Sequence, residues 1–223
     1  MTPMTPADRR APRQAEAERN DRALLQAAKE VLAVDGAHAS VAAIAKRAKV
    51  GIGTLYRRYR TKDDLFLHLL SVTLDQYLEA AEAGLALDDP WEGLAHYVRA
   101  VIGFGPGSLA PIAGTLTLTA EINEKSEHGD RAVAALIERA HDAGVLRADA
   151  TAMDVELLIE QLSKSPLLDQ LAQQGRTELM PAAQNARDRL TAIALDGLRA
   201  GSSPPLPGEP PGYELFSARW ERD

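Results

Sequence analysis

The chain has 223 residues, of which 45% are hydrophobic and 26% are charged, and its formal net charge is −7. This length is enough for one large domain or two small ones, and the composition is ordinary for a soluble protein with a buried core. The absence of cysteine excludes disulfides and thiolate chemistry, and no apolar run reaches the roughly 18 residues of a membrane-spanning helix.

The first 19 residues predict a flexible arm. They hold three prolines and no apolar core, so they do not have the pattern of a signal peptide. A helix is expected from about Asn20 to Asp35, because apolar side chains repeat there on one face and Gly36 is a typical stop.

The segment from Ser40 to Asp64 has the pattern of two short helices joined by a tight turn, followed by the start of a third helix. Ser40 suits the N-cap of the first helix, and Thr61 with Asp64 has the spacing of a capping box. Leu55 and Tyr59 are four residues apart and are expected to face inward. The segment therefore predicts a helix-turn-helix.

Basic charge is concentrated in this part of the chain. Residues 1–64 hold 13 Lys+Arg and 8 Asp+Glu, a net of +5, whereas residues 65–223 hold 12 and 24, a net of −12. Between positions 41 and 62 there is no acidic residue, and the basic residues are Lys46, Arg47, Lys49, Arg57, Arg58, Arg60 and Lys62. A basic helix-turn-helix inside an acidic chain is typical of a DNA-binding module.

The rest of the chain is expected to be helical nearly throughout. We predict helices from Lys62 towards Leu78, from Pro90 to Ile102, over 108–122, from Asp130 to Ala143, from Asp149 or Thr151 onward with an interruption at Pro166, and from Pro181 to Ala200. The TLTLT alternation within 108–122 is also typical of a strand, but a lone strand would have no partner. Residues 123–129 predict a polar loop or a helix end. Residues 201–223 predict a Pro-rich, mostly disordered tail.

The helix-turn-helix resembles that of the TetR family of transcriptional regulators. The matching residues, within about residues 20 to 70, are Ile44-Ala45, Ala48, Val50, Gly53-Thr54-Leu55-Tyr56, Tyr59 and Thr61-Lys62-Asp63-Asp64-Leu65. The resemblance implies an all-α homodimer. Three N-terminal helices (residues 20–64) would bind DNA, and a larger helical domain (residues 65–200) would bind a small effector and form the dimer through its last two helices.

The resemblance also implies roles for individual residues. It places Ser40, Thr54, Tyr56, Arg58 and Lys62 at the DNA phosphates, and Ile52, Gly53 and Arg57 on the base-facing part of the recognition helix. Arg57 suits a bidentate pair with guanine. The predicted function is a cytoplasmic transcriptional repressor that binds a near-palindromic operator in double-stranded DNA and is released by a small-molecule effector, with no cofactor.

Three residues depart from the family pattern. Lys49 stands where the family commonly has a glycine, which permits positive φ. Gly51 stands where a serine commonly caps the recognition helix, and Arg60 replaces a frequent proline. Lys49 and Gly51 are the features that leave an alternative open, in which the chain is a helical ligand- or partner-binding protein without specific DNA readout.

An effector pocket is expected among the helices of residues 90–180. Its candidate lining residues, chosen by amphipathic position, are Trp91, His96, Phe104, Thr115, Thr119, Asn123, Glu156 and Glu160. An enzyme is disfavoured, because Glu138 and His141 give one Glu-x-x-His pair where a di-iron bundle needs two, and no nucleotide-binding or zinc-protease motif is present.

Overall fold

The computed structural model describes residues 6–104, 109–201, 204–212 and 214–218. These residues form no β-strand, and the one antiparallel bridge among them joins Leu146 to Arg199. The predicted all-α class is therefore confirmed. No helix in the described ranges is long and apolar enough to span a lipid bilayer.

The α-helices of the described chain are α1 (Pro6–Asp35), α2 (Val41–Arg47), α3 (Ile52–Arg58), α4 (Lys62–Leu85), α5 (Pro90–Gly103), α6 (Ala120–Asp142), α7 (Ala152–Ser163), α8 (Pro166–Gln173), α9 (Met180–Leu198) and α10 (Glu214–Ser217). Short 3-10 helices lie at Gly36–His38, Ala110–Ile112 and Thr177–Leu179.

Several helix starts are fixed by caps that the sequence carries. The hydroxyl of Ser40 accepts a hydrogen bond from the third amide of α2. Thr61 and Asp64 form the predicted capping box at the start of α4, and Asp89 caps α5 directly before Pro90. These short-range signals place α2, α4 and α5 where the sequence predicts them.

Helix α1 is longer than predicted, because it begins at Pro6 rather than near Asn20. Residues 7–19 are rich in alanine, arginine and glutamate, which are strong helix formers. The arm predicted for residues 1–19 is therefore helical from Pro6 onward, and its first five residues lie outside the described residues.

The start of α6 also differs from the prediction. The described part of 108–122 is a 3-10 turn followed by an irregular segment, and α6 begins only after Thr119, whose hydroxyl caps the amide of Ile122 at 3.3 Å. The helix then continues through 123–129, which was expected to be a loop or a helix end. The threonines of TLTLT are β-branched, and the hydroxyls of Thr115 and Thr119 hydrogen-bond locally, so the segment ends a helix more readily than it extends one.

The described helices enclose two main hydrophobic cores. The first packs α1, α2, α3 and the first half of α4 against Leu109, Ile112 and Leu116 of the α5–α6 connection and Ile122 of α6. The second packs the rest of α4 with α5, α6, α7 and α9. Helices α4 and α6 contribute to both cores, so the N-terminal helices are mechanically joined to the body.

Helices α8 and α9 form an outer layer. They pack on each other through a small cluster of Leu168, Leu171 and Ala183. Large apolar side chains on the same two helices remain exposed, with Leu167 50%, Leu190 57% and Ile193 64% accessible. This layer therefore presents an apolar surface that the single chain does not cover.

Candidate nucleic-acid interface and effector region

The turn between α2 and α3 is a Schellman motif. The amide of Lys49 donates to Lys46 O at 3.3 Å, and the amide of Val50 donates to Ala45 O at 3.0 Å. Lys49 has a φ of +58° and thus adopts the left-handed conformation that glycine adopts at lower cost. Gly51 is the N-cap residue of α3, and no side-chain hydrogen bond caps this helix.

Helix α3 is anchored on one face and free on the other. Leu55 and Tyr59 are only 4% and 7% exposed, as their spacing predicted. The exposed side chains and backbone of the other face belong to Ile52, Gly53, Thr54, Tyr56 and Arg57. A β-carbon on Gly53 would meet no atom within 4 Å, so the backbone at this point is open to a partner.

Arg57 is an exposed cation of this face, near the C-terminal end of α3. Its Nη2 donates to the hydroxyl of Thr54 at 3.1 Å, and it forms no ion pair with any described residue. Ser40 is exposed at the start of α2, with its hydroxyl already accepting from the amide of Ala43 at 3.1 Å. These side chains keep their remaining hydrogen-bonding capacity directed to solvent.

Two of the residues predicted at the phosphates have hydrogen-bond partners within the protein. Arg58 donates from both terminal nitrogens to Asp21 at 2.6 and 2.9 Å, and this hydrogen bonding raises the pKa of Arg58. The ammonium of Lys62 donates to Ala37 O at 2.9 Å and lies 5.2 Å from the ring centroid of Phe66. Arg58 and Lys62 are thus each hydrogen-bonded to a distant part of the chain, whereas the hydrogen bond of Arg57 stays within α3.

The candidate effector residues do not form one site. Four of them lie exposed and apart from the body's core, namely His96, Thr115, Thr119 and Asn123. Trp91 is 4% exposed, with the guanidinium of Arg199 stacked 4.3 Å from its ring centroid. The structure therefore does not bring these five residues together with Phe104, Glu156 and Glu160.

Phe104, Glu156 and Glu160 do lie near one another, around two tyrosines. Glu156 Oε1 accepts a hydrogen bond from the hydroxyl of Tyr97 at 2.7 Å. The rings of Phe104 and Tyr77 stack with centroids 5.9 Å apart and an interplanar angle of 12°. Burial, assisted by the charges of Glu156 and Glu160, raises the pKa of Tyr77 to about 12.

Glu156 is the carboxylic acid of this group whose pKa is raised. Burial raises its pKa to about 7, opposed in part by the hydrogen bond from Tyr97 and assisted by the charge of Asp130. Sequence reasoning missed both tyrosines, although a tyrosine on the apolar face of a helix signals a buried hydrogen-bond partner.

Open grooves lie elsewhere on the described surface. One of about 730 Å³ lies beside His141, Arg147 and Arg199, where the end of α6 meets the chain after α9. Another of about 250 Å³ lies between α5 and α9. Neither is lined by a candidate effector residue. No group of three potential metal ligands occurs among the described residues.

A short basic helix that exposes one face beside a tight turn, on a helical body, defines a helix-turn-helix DNA-binding regulator. Residues 24–69 match the model of the bacterial regulatory proteins of the tetR family. Residues 89–200, half of the chain, match the SbtR-like transcriptional regulator C-terminal domain. The chain belongs to the TetR family, whose members are DNA-binding transcriptional regulators and not enzymes.

Solved structures of transcriptional regulators share the fold. A TetR transcriptional regulator from Streptomyces coelicolor is 25% identical, with a TM-score of 0.52 over 82% of this chain and 99% of that chain. The regulator PfmR from Thermus thermophilus is 19% identical, with a TM-score of 0.50 over 81% and 97%. The ketosteroid transcriptional regulator KstR2 of Mycobacterium tuberculosis is 18% identical, with a TM-score of 0.50 over 80% and 94%. No curated protein sequence matches the chain.

Proposed function

We propose that this TetR-family regulator is a homodimeric, cytoplasmic repressor that binds a near-palindromic operator and is released from it by a small-molecule effector. The observation that carries the proposal is the free face of α3, which directs Ile52, Gly53 and Arg57 away from the core. A short helix with one exposed face fits the major groove of B-DNA, where each base pair presents a distinct pattern.

Base recognition is assigned to the free face of α3. The guanidinium of Arg57 suits the O6 and N7 acceptors of guanine, and it has no competing carboxylate among the described residues. The apolar side chain of Ile52 suits a thymine methyl group. Gly53 lets the helix backbone approach the base edges.

Phosphate contacts are assigned to Ser40, Thr54 and Tyr56, whose hydroxyl groups border that face. Each is exposed. Lys62 joins them only if its ammonium exchanges the carbonyl of Ala37 for a phosphate. The net charge of −12 on residues 65–223 keeps the rest of the chain away from the duplex and orients the approach.

The dimer is assigned to α8 and α9, the helices with uncovered apolar side chains. In this proposal residues 20–64 form the DNA-binding domain and residues 65–200 form the effector-binding and dimerisation domain. A two-fold axis then places the two copies of α3 about one helical turn apart, roughly 34 Å, so the operator is an inverted repeat.

The effector is assigned to the region of Phe104, Glu156 and Glu160, inside the helices of the body. Because α4 and α6 belong to both cores, a ligand that shifts these helices also moves the DNA-binding helices. The dimer would then have two conformations that differ in the distance between its two DNA-binding domains. A difference of a few kcal/mol in effector affinity between these conformations suffices to release the operator.

Selection of bound sequences from random duplex DNA at moderate salt tests this proposal. We expect enrichment of an inverted repeat with half-sites about one turn apart. The absence of any enriched sequence, with folded dimeric protein, would favour the alternative of a ligand- or partner-binding protein without specific DNA readout.

The Arg57→Ala variant tests the assignment of the base contact. It should lose on the order of 1–3 kcal/mol of binding free energy on the selected operator and relax base preference at one position of each half-site. Arg60→Ala removes the same charge from an exposed position outside α3 and serves as the control. An Arg57→Ala protein that selects the unchanged sequence would rule out this contact.

A further inference from the structure

The end of the recognition helix is tied to α1 by one ion pair. Arg58, the last residue of α3, donates Nη1 and Nη2 to the two carboxylate oxygens of Asp21 at 2.6 and 2.9 Å. Two parallel hydrogen bonds fix the orientation of the guanidinium plane as well as its position. The Asp21 side chain is 15% exposed and that of Arg58 is 46% exposed, so the carboxylate is the inner member of the pair.

Helix α4 closes the other side of this contact. His68 Nε2 lies 3.3 Å from Asp21 Oδ2, although the geometry does not make a hydrogen bond. The His68 ring lies against Tyr59, with centroids 5.1 Å apart and an interplanar angle of 37°. The Arg58 guanidinium lies 5.2 Å from the Tyr59 ring centroid. One cluster thus joins α1, α3 and α4.

The two neighbouring arginines of α3 are held differently. The guanidinium of Arg57 donates a hydrogen bond to the hydroxyl of Thr54 one turn earlier on the same helix, and it forms no ion pair with any described residue. Arg58 has its charge neutralised by Asp21 and its guanidinium plane fixed. The first arrangement leaves a cation for the DNA, whereas the second joins two helices of the protein.

We infer that Asp21 is a positioning residue for operator recognition, which holds the C-terminal end of α3 through Arg58 and so sets the angle at which the helix meets the base edges. Arg58 accordingly acts inside the protein and is not a phosphate contact. Recognition by a short helix depends on such support, since a contact group must be held within about 0.5 Å and 10–20° of its working geometry. The inference rests on the proposed function, because it requires α3 to read DNA.

A phosphate role for Arg58 leads to the opposite result. Asp21 would then compete with the DNA for the guanidinium, and its removal would tighten binding to every sequence. The sign of the Asp21→Asn effect therefore distinguishes the two roles.

The test compares affinities for the selected operator and for random duplex DNA over a range of salt. The variants are Asp21→Asn, Arg58→Gln and the double variant. We expect each single variant to lose about three- to tenfold on the operator, and the double variant to lose no more than either. Binding of Asp21→Asn to random DNA should match that of the Glu30→Gln control, and Asp21→Glu, which keeps the carboxylate, should recover most of the operator affinity.

Glu30→Gln is the matched control. It removes the same single negative charge from α1, but Glu30 pairs with Arg47 of α2 and not with the recognition helix. Comparison with this variant removes the general electrostatic effect of one lost carboxylate on DNA binding.

Three outcomes overturn the inference. In the first, Asp21→Asn binds the operator or random DNA more tightly than Glu30→Gln does. In the second, these two variants have the same affinity for the operator. In the third, Arg58→Gln has a lower affinity for both the operator and random DNA, and the slope of its affinity with salt falls by about 0.9. A wild-type protein that selects no operator rejects the proposed function itself. A wild-type protein that selects an operator while Asp21→Asn behaves like the control rejects only the positioning role.

Discussion

Lys49 carries a backbone strain that a single substitution can relieve. Its φ of +58° brings the β-carbon close to the following carbonyl, at a cost of about 1–2 kcal/mol for an L-residue. Lys49→Gly should raise the free energy of unfolding by about 0.5–1 kcal/mol, because the relief exceeds the extra freedom of glycine in the unfolded chain. Urea unfolding measures this change.

The Lys49→Ala variant separates backbone strain from charge. Alanine keeps the β-carbon and removes the ammonium, so it should not be stabilised as glycine is. Equal stabilisation of the alanine and glycine variants would show that repulsion among the basic residues, and not φ, destabilises this turn.

Glu156 makes the stability of the body depend on pH. Its folded pKa of about 7 lies above the ordinary 4.5, so the folded state favours the protonated acid. The stabilisation from this group is complete below about pH 4.5 and is lost as the pH rises through about 7. Tyr97 limits the shift, because its hydroxyl hydrogen-bonds the carboxylate.

The Glu156→Gln variant removes this dependence while keeping the shape of the side chain. At pH 8 it should be more stable than the wild type by on the order of 2 kcal/mol, and the margin should shrink at pH 5. Thermal unfolding at both pH values measures the difference. Tyr97→Phe should move the loss of stability to higher pH, and a Glu156→Gln margin that is equal at pH 5 and pH 8 would contradict the assigned burial.

At the scale of elements, the crossing of α4 and α5 depends on two facing glycines. A β-carbon on Gly84 would lie 2.5 Å from Gly93 O, and the reverse distance is also 2.5 Å. Gly84→Ala should therefore separate the helices and destabilise the protein by about 1–3 kcal/mol, as overpacking does. Gly129 in α6 is the control, since a β-carbon there meets nothing within 4 Å.

Gly129→Ala should instead stabilise the protein by about 0.5–1 kcal/mol through helix propensity. Thermal unfolding of the two variants should move the midpoint in opposite directions. A shift of the same sign and size in both would mean that the α4–α5 crossing tolerates a methyl group.

Elements with short-range signals were predictable from the sequence. Ser40, Thr61 and Asp89 each cap a helix within three residues of themselves, and the interruption at Pro166 separates α7 from α8 as predicted. The irregular segment before α6 was not predictable, because Leu109, Ile112 and Leu116 are held there by packing against the N-terminal helices. The conformation of that segment is set by tertiary packing and not by helical periodicity.

In the candidate sites, too, local features were predictable from the sequence and long-range contacts were not. The exposed face of α3 follows from local spacing, since buried Leu55 and Tyr59 fix which side points outward. The partner of Arg58 is 37 residues away, and that of Tyr97 is 59 residues away. Contacts at such separations depend on how helices cross, so no spacing rule in a single sequence reveals them.

At the scale of the whole molecule, Arg187 connects the outer helix layer to the body. It is 8% exposed and donates from α9 to Ile102 O at 2.7 Å and to Leu162 O at 3.3 Å, near the C-terminal ends of α5 and α7. Burial lowers its pKa, and the helix-end carbonyls hydrogen-bond its guanidinium. The helices that carry the proposed effector region are thereby fixed to the helix that we assign to the dimer.

That dimer is testable through Ile193, which is 64% exposed on α9. A stable interface buries about 1,200–2,000 Å² in total and excludes unpaired charge from its centre, so Ile193→Glu should give a monomer by analytical ultracentrifugation. Operator affinity should fall in this variant, since a monomer has one DNA-binding domain and contacts only one half-site. Val34→Glu makes the same exchange on α1, where the valine is 77% exposed, and should remain dimeric. An Ile193→Glu protein that stays dimeric would move the interface away from this face of α9.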